Sequence, residues 1–183
     1  EKLGFPKDKP LVLVVGGSLG ARTINEATAR ALTSIIDAGA HIMWQTGKFY
    51  VDECTAIADP IPQVKASAFI SDMATAYRAA DLVVARAGAC TISELQLLGL
   101  PVILVPSPNV AEDHQRKNAQ ALVDHGAAVM ILDKDAREEL GKEVVRLLGD
   151  QEARNSLSQN ILTMALPNAD EKIVDKIEEI VSQ

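Results

Sequence analysis

The chain has 183 residues, 48% of them hydrophobic and only 3% aromatic, with a formal charge of −7 at pH 7. That length and apolar content fit one globular domain with a sizeable core, while so few aromatics argue against a stacking platform for single-stranded nucleic acid. The acidic balance runs along the chain without forming a tail, which disfavours a general phosphate-backbone binder and leaves room for a local basic site. No nucleic-acid partner is expected.

Two cysteines, Cys54 and Cys90, fall in different expected helices with no paired spacing. This is the pattern of buried or free thiols in a reducing compartment, so a cytoplasmic setting is expected. No signal peptide is recognised, and no run approaches the roughly 20 apolar residues that span a bilayer. Glu1 opens a polar lead containing lysines and prolines. Residues 1–10 are therefore expected to be a linker and the chain a piece of something longer.

Leu11 to Val15 reads as strand one, followed directly by the small-residue loop Gly16-Gly17-Ser18-Leu19-Gly20-Ala21. A helix from Gly20 to about Ala38 carries Ile24, Ala27, Ala31 and Ile35 on one face and is closed by Gly39. His41 to Gln45 is strand two, Tyr50 to Ala58 a short helix, and Gln63 to Ala68 strand three. Phe69-Ile70-Ser71-Asp72-Met73 then turns into a small helix ending near Ala80.

Asp81 to Ala85 is strand four, and the second small-residue loop, around Arg86-Ala87-Gly88-Ala89, opens a helix from about Cys90 to Leu98. Strand five is Val102 to Val105, and Pro106-Ser107-Pro108-Asn109 must be a loop. A helix from about Glu112 to Asp124 precedes strand six, Ala127 to Leu132. Helices over Ala136 to Leu148, Gln151 to Ala165 and Ala169 to Val181 complete the chain.

Alternating apolar strands and amphipathic helices predict an α/β fold, a Rossmann-like, doubly wound parallel sheet of six strands covered on both faces. Ligands of such sheets sit outside the carboxyl ends of the strands, where strand order reverses. Both small-residue loops, the Phe69 turn and the segment from Pro106 to Gln115 all fall at that edge.

A redox dinucleotide is disfavoured there. The first loop departs from G-x-G-x-x-G, and strand two ends Met43-Trp44-Gln45-Thr46 with no carboxylate for a ribose. A P-loop fails because Ala21-Arg22 follows Gly20 where Lys and Ser or Thr are required. His41, His114 and His125 lack metal-ligand spacing, and Asp133-Lys134-Asp135 reads as a helix cap, so no metal is expected.

A nucleoside diphosphate sugar fits better. Turn N–H groups at Ser18 and at Gly88-Ala89 suit a diphosphate, with the Ser18 hydroxyl and Arg86 assisting. Glu94 has two competing readings. Its carboxylate suits a ribose diol, yet Thr91-Ile92-Ser93-Glu94 also matches a capping box, with Glu94 folded back on its own helix start. Gln115 and Asn118 share one helix face behind His114, where amides suit sugar hydroxyls.

Five segments appear in a familiar order and spacing: Gly16 to Arg22, Phe69 to Met73, Arg86 to Glu94, Gly99-Leu100-Pro101 and His114 to Ala119. Together they closely resemble the C-terminal half of the MurG family. These bacterial peptidoglycan enzymes transfer N-acetylglucosamine from its UDP donor to a lipid-linked muramyl-pentapeptide, converting lipid I to lipid II.

The resemblance implies one half of a GT-B glycosyltransferase, the UDP-N-acetylglucosamine donor domain over residues 11–166. It also implies a last segment, 167–183, that crosses back toward an acceptor half. Ile70 would read the uracil edge beside Phe69, and Glu94 would hold the ribose. Ser18, Arg86, Gly88 and Ala89 would surround the diphosphate, with His114, Gln115 and Asn118 facing the sugar. Two departures stand out: Leu19 where many relatives carry Gln, and Ala87 where many carry Ser.

No catalytic residue is expected in these 183 residues, because the base, the lipid-linked acceptor and the membrane contact belong to the other half. The whole protein would be peripheral on the cytoplasmic face of the inner membrane and would need no metal or other cofactor. A non-catalytic nucleotide-sugar module and half of a UDP-sugar epimerase are the alternative readings.

Overall fold

The computed structural model describes residues 3–181. Its first half runs β1 (Leu11–Val15), α1 (Arg22–Asp37), β2 (His41–Gln45), α2 (Val51–Ala58), β3 (Val64–Ser67), α3 (Met73–Ala79) and β4 (Leu82–Ala85). The second runs α4 (Ala89–Leu98), β5 (Val102–Leu104), α5 (His114–Asp124), β6 (Val129–Met130), α6 (Ala136–Gly149), α7 (Gln151–Thr163) and α8 (Ala169–Val181). Every pairing is parallel, in the order β3-β2-β1-β4-β5-β6. The expected doubly wound six-stranded sheet is therefore what forms.

The strands are apolar on both sides because both faces are covered. Val12, Val14, Leu82, Val84 and Ile103 enter one layer with residues of α1, α2 and α6. Their neighbours Leu13, Val15, Val83, Ala85 and Leu104 enter the other, with α3, α4 and α5. This is the two-residue alternation of a strand buried on each face.

Trp44 is wholly buried, and its indole N–H donates to Asn25 Oδ1 at 2.9 Å. Asn25 Nδ2 in turn donates to the Thr46 carbonyl at 2.8 Å. A single buried amide thus ties α1 to the end of β2.

Several expected boundaries shift. Strand six shortens to two residues. Helix α5 begins at His114, two residues later than expected, because Glu112 and Asp113 both adopt left-handed backbone (φ 54° and 55°) and break the helical path. On α8, Ile173, Val174, Ile177, Ile180 and Val181 form an apolar stripe, each more than half exposed. No helix of the described residues is long and apolar enough to cross a membrane.

Candidate functional site

Strand order reverses between β1 and β4. The two small-residue loops leave the carboxyl ends of those two adjacent strands, so they flank the crevice in which open α/β sheets bind ligands. Gly17 and Gly20 both have positive φ (83° and 94°), which admits glycine with little strain. A Cβ on Gly20 would also overlap the Thr46 carbonyl and the Tyr50 ring. The first loop is therefore held against the end of β2, with the Lys48 N–H donating to the Ser18 carbonyl at 3.2 Å. Ser18 itself is exposed.

Gly88 differs. Its φ of −73° suits any residue, and a Cβ there would meet nothing within 4 Å. Neither backbone strain nor internal packing calls for a glycine at this point. What its small size provides is open space directly at the start of α4.

Helices α1 and α4 share a second property. Neither has a side-chain cap, and neither carries an acidic residue in its first turn. Acids sit at the starts of four other helices, Asp52 and Glu53 in α2, Glu138 and Glu139 in α6, and capping Asp72 and Asp150 on α3 and α7, while α5 also lacks a cap hydrogen bond and a first-turn acid, with Asp113 just ahead of it. At the sheet's switch point the first N–H groups of both helices lack a side-chain cap and their positive dipole ends lack a first-turn acid of their own, the arrangement that attracts an anion, although the Asp133 carboxylate reaches Thr23 at the start of α1.

Beside this crevice Phe69 is 62% exposed while Ile70 is buried. The Ile70 N–H donates to Gln45 Oε1 at 3.0 Å, so that N–H is already engaged within the fold. Glu94 is exposed, and its Oε2 accepts from the Tyr77 hydroxyl at 2.9 Å. The capping-box reading fails: α4 starts at Ala89 with Gly88 as its cap residue, so Thr91 is already the third helical residue. Burial, reinforced by the Glu94 carboxylate, pushes the Tyr77 hydroxyl well above the usual phenol range.

Arg86 is spoken for in part. Its Nη1 pairs with Asp133 Oδ1 and also reaches the Val105 carbonyl at 3.0 Å. Asp133 Oδ2 accepts from Thr23 Oγ1 at 2.9 Å. Asp133 is thus a cross-link between α1, the loop after β4 and the segment before α6, and neither it nor Asp135 makes the expected side-chain cap.

His114 is exposed at the start of α5, with Nδ1 2.9 Å from the Ala111 carbonyl. Gln115 Oε1 accepts from the Ser107 N–H at 2.9 Å, and Asn118 Nδ2 donates to the Ala87 carbonyl at 3.2 Å. The two amides brace the loops after β5 and β4, and each keeps one polar atom for a further partner.

Residues 11–173 match the model of the glycosyltransferase family 28 C-terminal domain. The chain belongs to this family. Among its relatives is the UDP-N-acetylglucosamine--N-acetylmuramyl-(pentapeptide) pyrophosphoryl-undecaprenol N-acetylglucosamine transferase of Porphyromonas gingivalis, 52% identical over 97% of this chain and 48% of that protein. The like-named enzyme of Cytophaga hutchinsonii is 49% identical over 98% and 48%.

The crystal structure of Acinetobacter baumannii MurG superposes with a TM-score of 0.84 at 35% identity, covering 94% of this chain and 50% of that one. A putative UDP-N-acetylglucosamine 2-epimerase from Listeria monocytogenes shares the fold at a TM-score of 0.71 and 16% identity. The chain spans about half the length of the curated relatives it matches.

Within this family 28 domain, three residues at the rim escaped the sequence reading: Tyr77, Asp133 as the partner of Arg86, and Gln45 as the partner of Ile70. Only Tyr77 left a signal. A tyrosine on the buried stripe of a short helix needs somewhere for its hydroxyl, and that need points to a polar partner nearby.

Proposed function

We propose that this domain binds UDP-N-acetylglucosamine as the donor half of an inverting glycosyltransferase that converts lipid I to lipid II. One observation carries the reading: α1 and α4, on either side of the switch point, both start without a cap or an acid. Their N–H groups, with those of the Ser18 and Gly88-Ala89 turns, hold the diphosphate. Phe69 and the Ile70 carbonyl take the base, Glu94 the ribose, and the free halves of Gln115 and Asn118, with His114, the sugar. Binding needs no metal, because helix ends and turn N–H groups supply the positive field.

In the reaction the acceptor hydroxyl oxygen bonds to the anomeric carbon as the bond from that carbon to the diphosphate breaks. Negative charge grows on the leaving UDP, where preorganised N–H groups stabilise it most. Arg86 adds to that field while Asp133 holds its Nη1. The hydroxyl's proton goes to a base outside these residues, and the lipid-linked acceptor and the membrane are met there too. Part of the α8 stripe covers that other half.

Calorimetry of the chain with UDP-N-acetylglucosamine, UDP and NAD tests the reading. Weak binding of both uridine nucleotides, unchanged by EDTA, with no NAD binding and no transfer to a lipid acceptor, is expected. Saturable binding of NAD, or failure to bind UDP, would overturn it.

A further inference from the structure

Tyr77 stands on α3 and Glu94 on α4, yet a 2.9 Å hydrogen bond joins them. The phenol ring is 4% exposed and lies in the core layer with Ile70, Ala87, Ile92 and Leu95, so the hydroxyl is fixed from behind. Glu94 is at the surface and has no other partner among the described residues. One of its four lone-pair positions is used, and the rest are left to accept. Held well above its ordinary range, the hydroxyl remains a donor throughout the neutral range.

Position along α4 gives this brace a meaning. Glu94 lies five residues after Ala89, about 7.5 Å along the helix axis, and side chains lean back toward the helix start. A carboxylate there sits one sugar's reach from an anion at the N-terminus of α4. The brace also comes from the helix that directly follows the Phe69-Ile70 turn, so base and ribose contacts share one short segment.

We propose that Tyr77 is a positioning residue that fixes the Glu94 carboxylate to accept both ribose hydroxyls, and thereby sets the preference for ribonucleotide over deoxyribonucleotide donors. The proposal rests on the UDP-sugar reading above.

The test is calorimetric titration of the chain and of Tyr77→Phe with UDP and with 2′-deoxy-UDP, alongside thermal unfolding. The unaltered chain is expected to prefer UDP. Tyr77→Phe should weaken UDP binding at least about tenfold, the loss of one hydrogen bond to a charged group, and weaken 2′-deoxy-UDP, which keeps only the 3′ hydroxyl, by clearly less. Glu94→Gln should lose the same preference, and the double variant should lose nothing more.

Equal weakening of both nucleotides by Tyr77→Phe, an unaltered ratio, or additive losses in the double variant would each overturn the positioning role. An unaltered chain that binds UDP without preferring it over the deoxy form would overturn the ribose role of Glu94. A chain that binds neither nucleotide would overturn the donor-site reading itself.

Discussion

Arg86 and Asp133 form an ion pair in which both side chains are more than four-fifths buried. The pair bridges 47 residues of sequence and, through Thr23, fastens the start of α1 to the loop after β4. Both walls of the crevice between β1 and β4 are therefore pinned by one carboxylate.

Removing only that carboxylate is expected to be costly, because a guanidinium would remain buried without its counter-charge. Asp133→Ala should lower the unfolding free energy by about 3 kcal/mol, measured by urea denaturation. The double replacement Arg86→Met with Asp133→Leu should recover most of the loss. If the double variant is as unstable as the single one, the pair is not the cause.

The glycines of the two loops should behave in opposite ways. Gly88→Ala places its methyl in open space on an ordinary backbone and should change stability by less than about 0.5 kcal/mol. It should nevertheless weaken UDP binding at least tenfold. Gly20→Ala meets backbone and ring atoms at a positive φ and should destabilise the fold by more than about 2 kcal/mol. Paired melting curves and titrations separate the two effects.

Acid sensitivity has a traceable contributor in Glu26. Its carboxyl is held below the usual range chiefly by the hydrogen bond from Arg137, with Arg22 adding to the effect. A carboxylate with a depressed folded pKa contributes stability above its unfolded value, about pH 4.3, and loses it as pH falls through the folded value. Glu26→Gln should flatten stability against pH below about pH 4.3 and leave its slope near pH 7 unchanged. Solvent screening at this partly exposed site keeps the effect small.

The two thiols should react on different terms. Burial, aided by Glu53, pushes the Cys54 thiol up to about 11, whereas Cys90 is exposed in the first turn of α4. A disulfide reagent at pH 8 should label one thiol in the folded chain and two after denaturation. UDP should slow labelling of Cys90 if the diphosphate sits at the start of α4.

Much of the fold was legible because it is written locally. Alternation of Val12 and Val14 with Leu13 and Val15, the glycines at the turns and the period of α1 all lie within a few residues of one another. The candidate rim was legible for the same reason: parallel strands bring all their following loops to one edge.

Side-chain partners were not legible. Nothing near Arg86 announces Asp133, nothing near Ile70 announces Gln45, and Glu94 read locally as either a ribose ligand or a cap, with no sign of its bond to α3. Such pairs are set by tertiary placement, which local periodicity does not report. The late start of α5 was hidden as well, since Glu112 is a good helix former and only its backbone conformation shows the break.

Gly47 adds a constraint on how this rim can change over evolutionary time. Its own φ is positive, and a side chain there would collide with the backbone of Leu19 and Gly20. Two glycines 27 positions apart therefore share one volume, and a larger residue at either is admitted only if the opposing turn retreats. Lineages that remodel the first small-residue loop are expected to alter the tip following β2 in the same step, so the two sites should mutate as a linked pair.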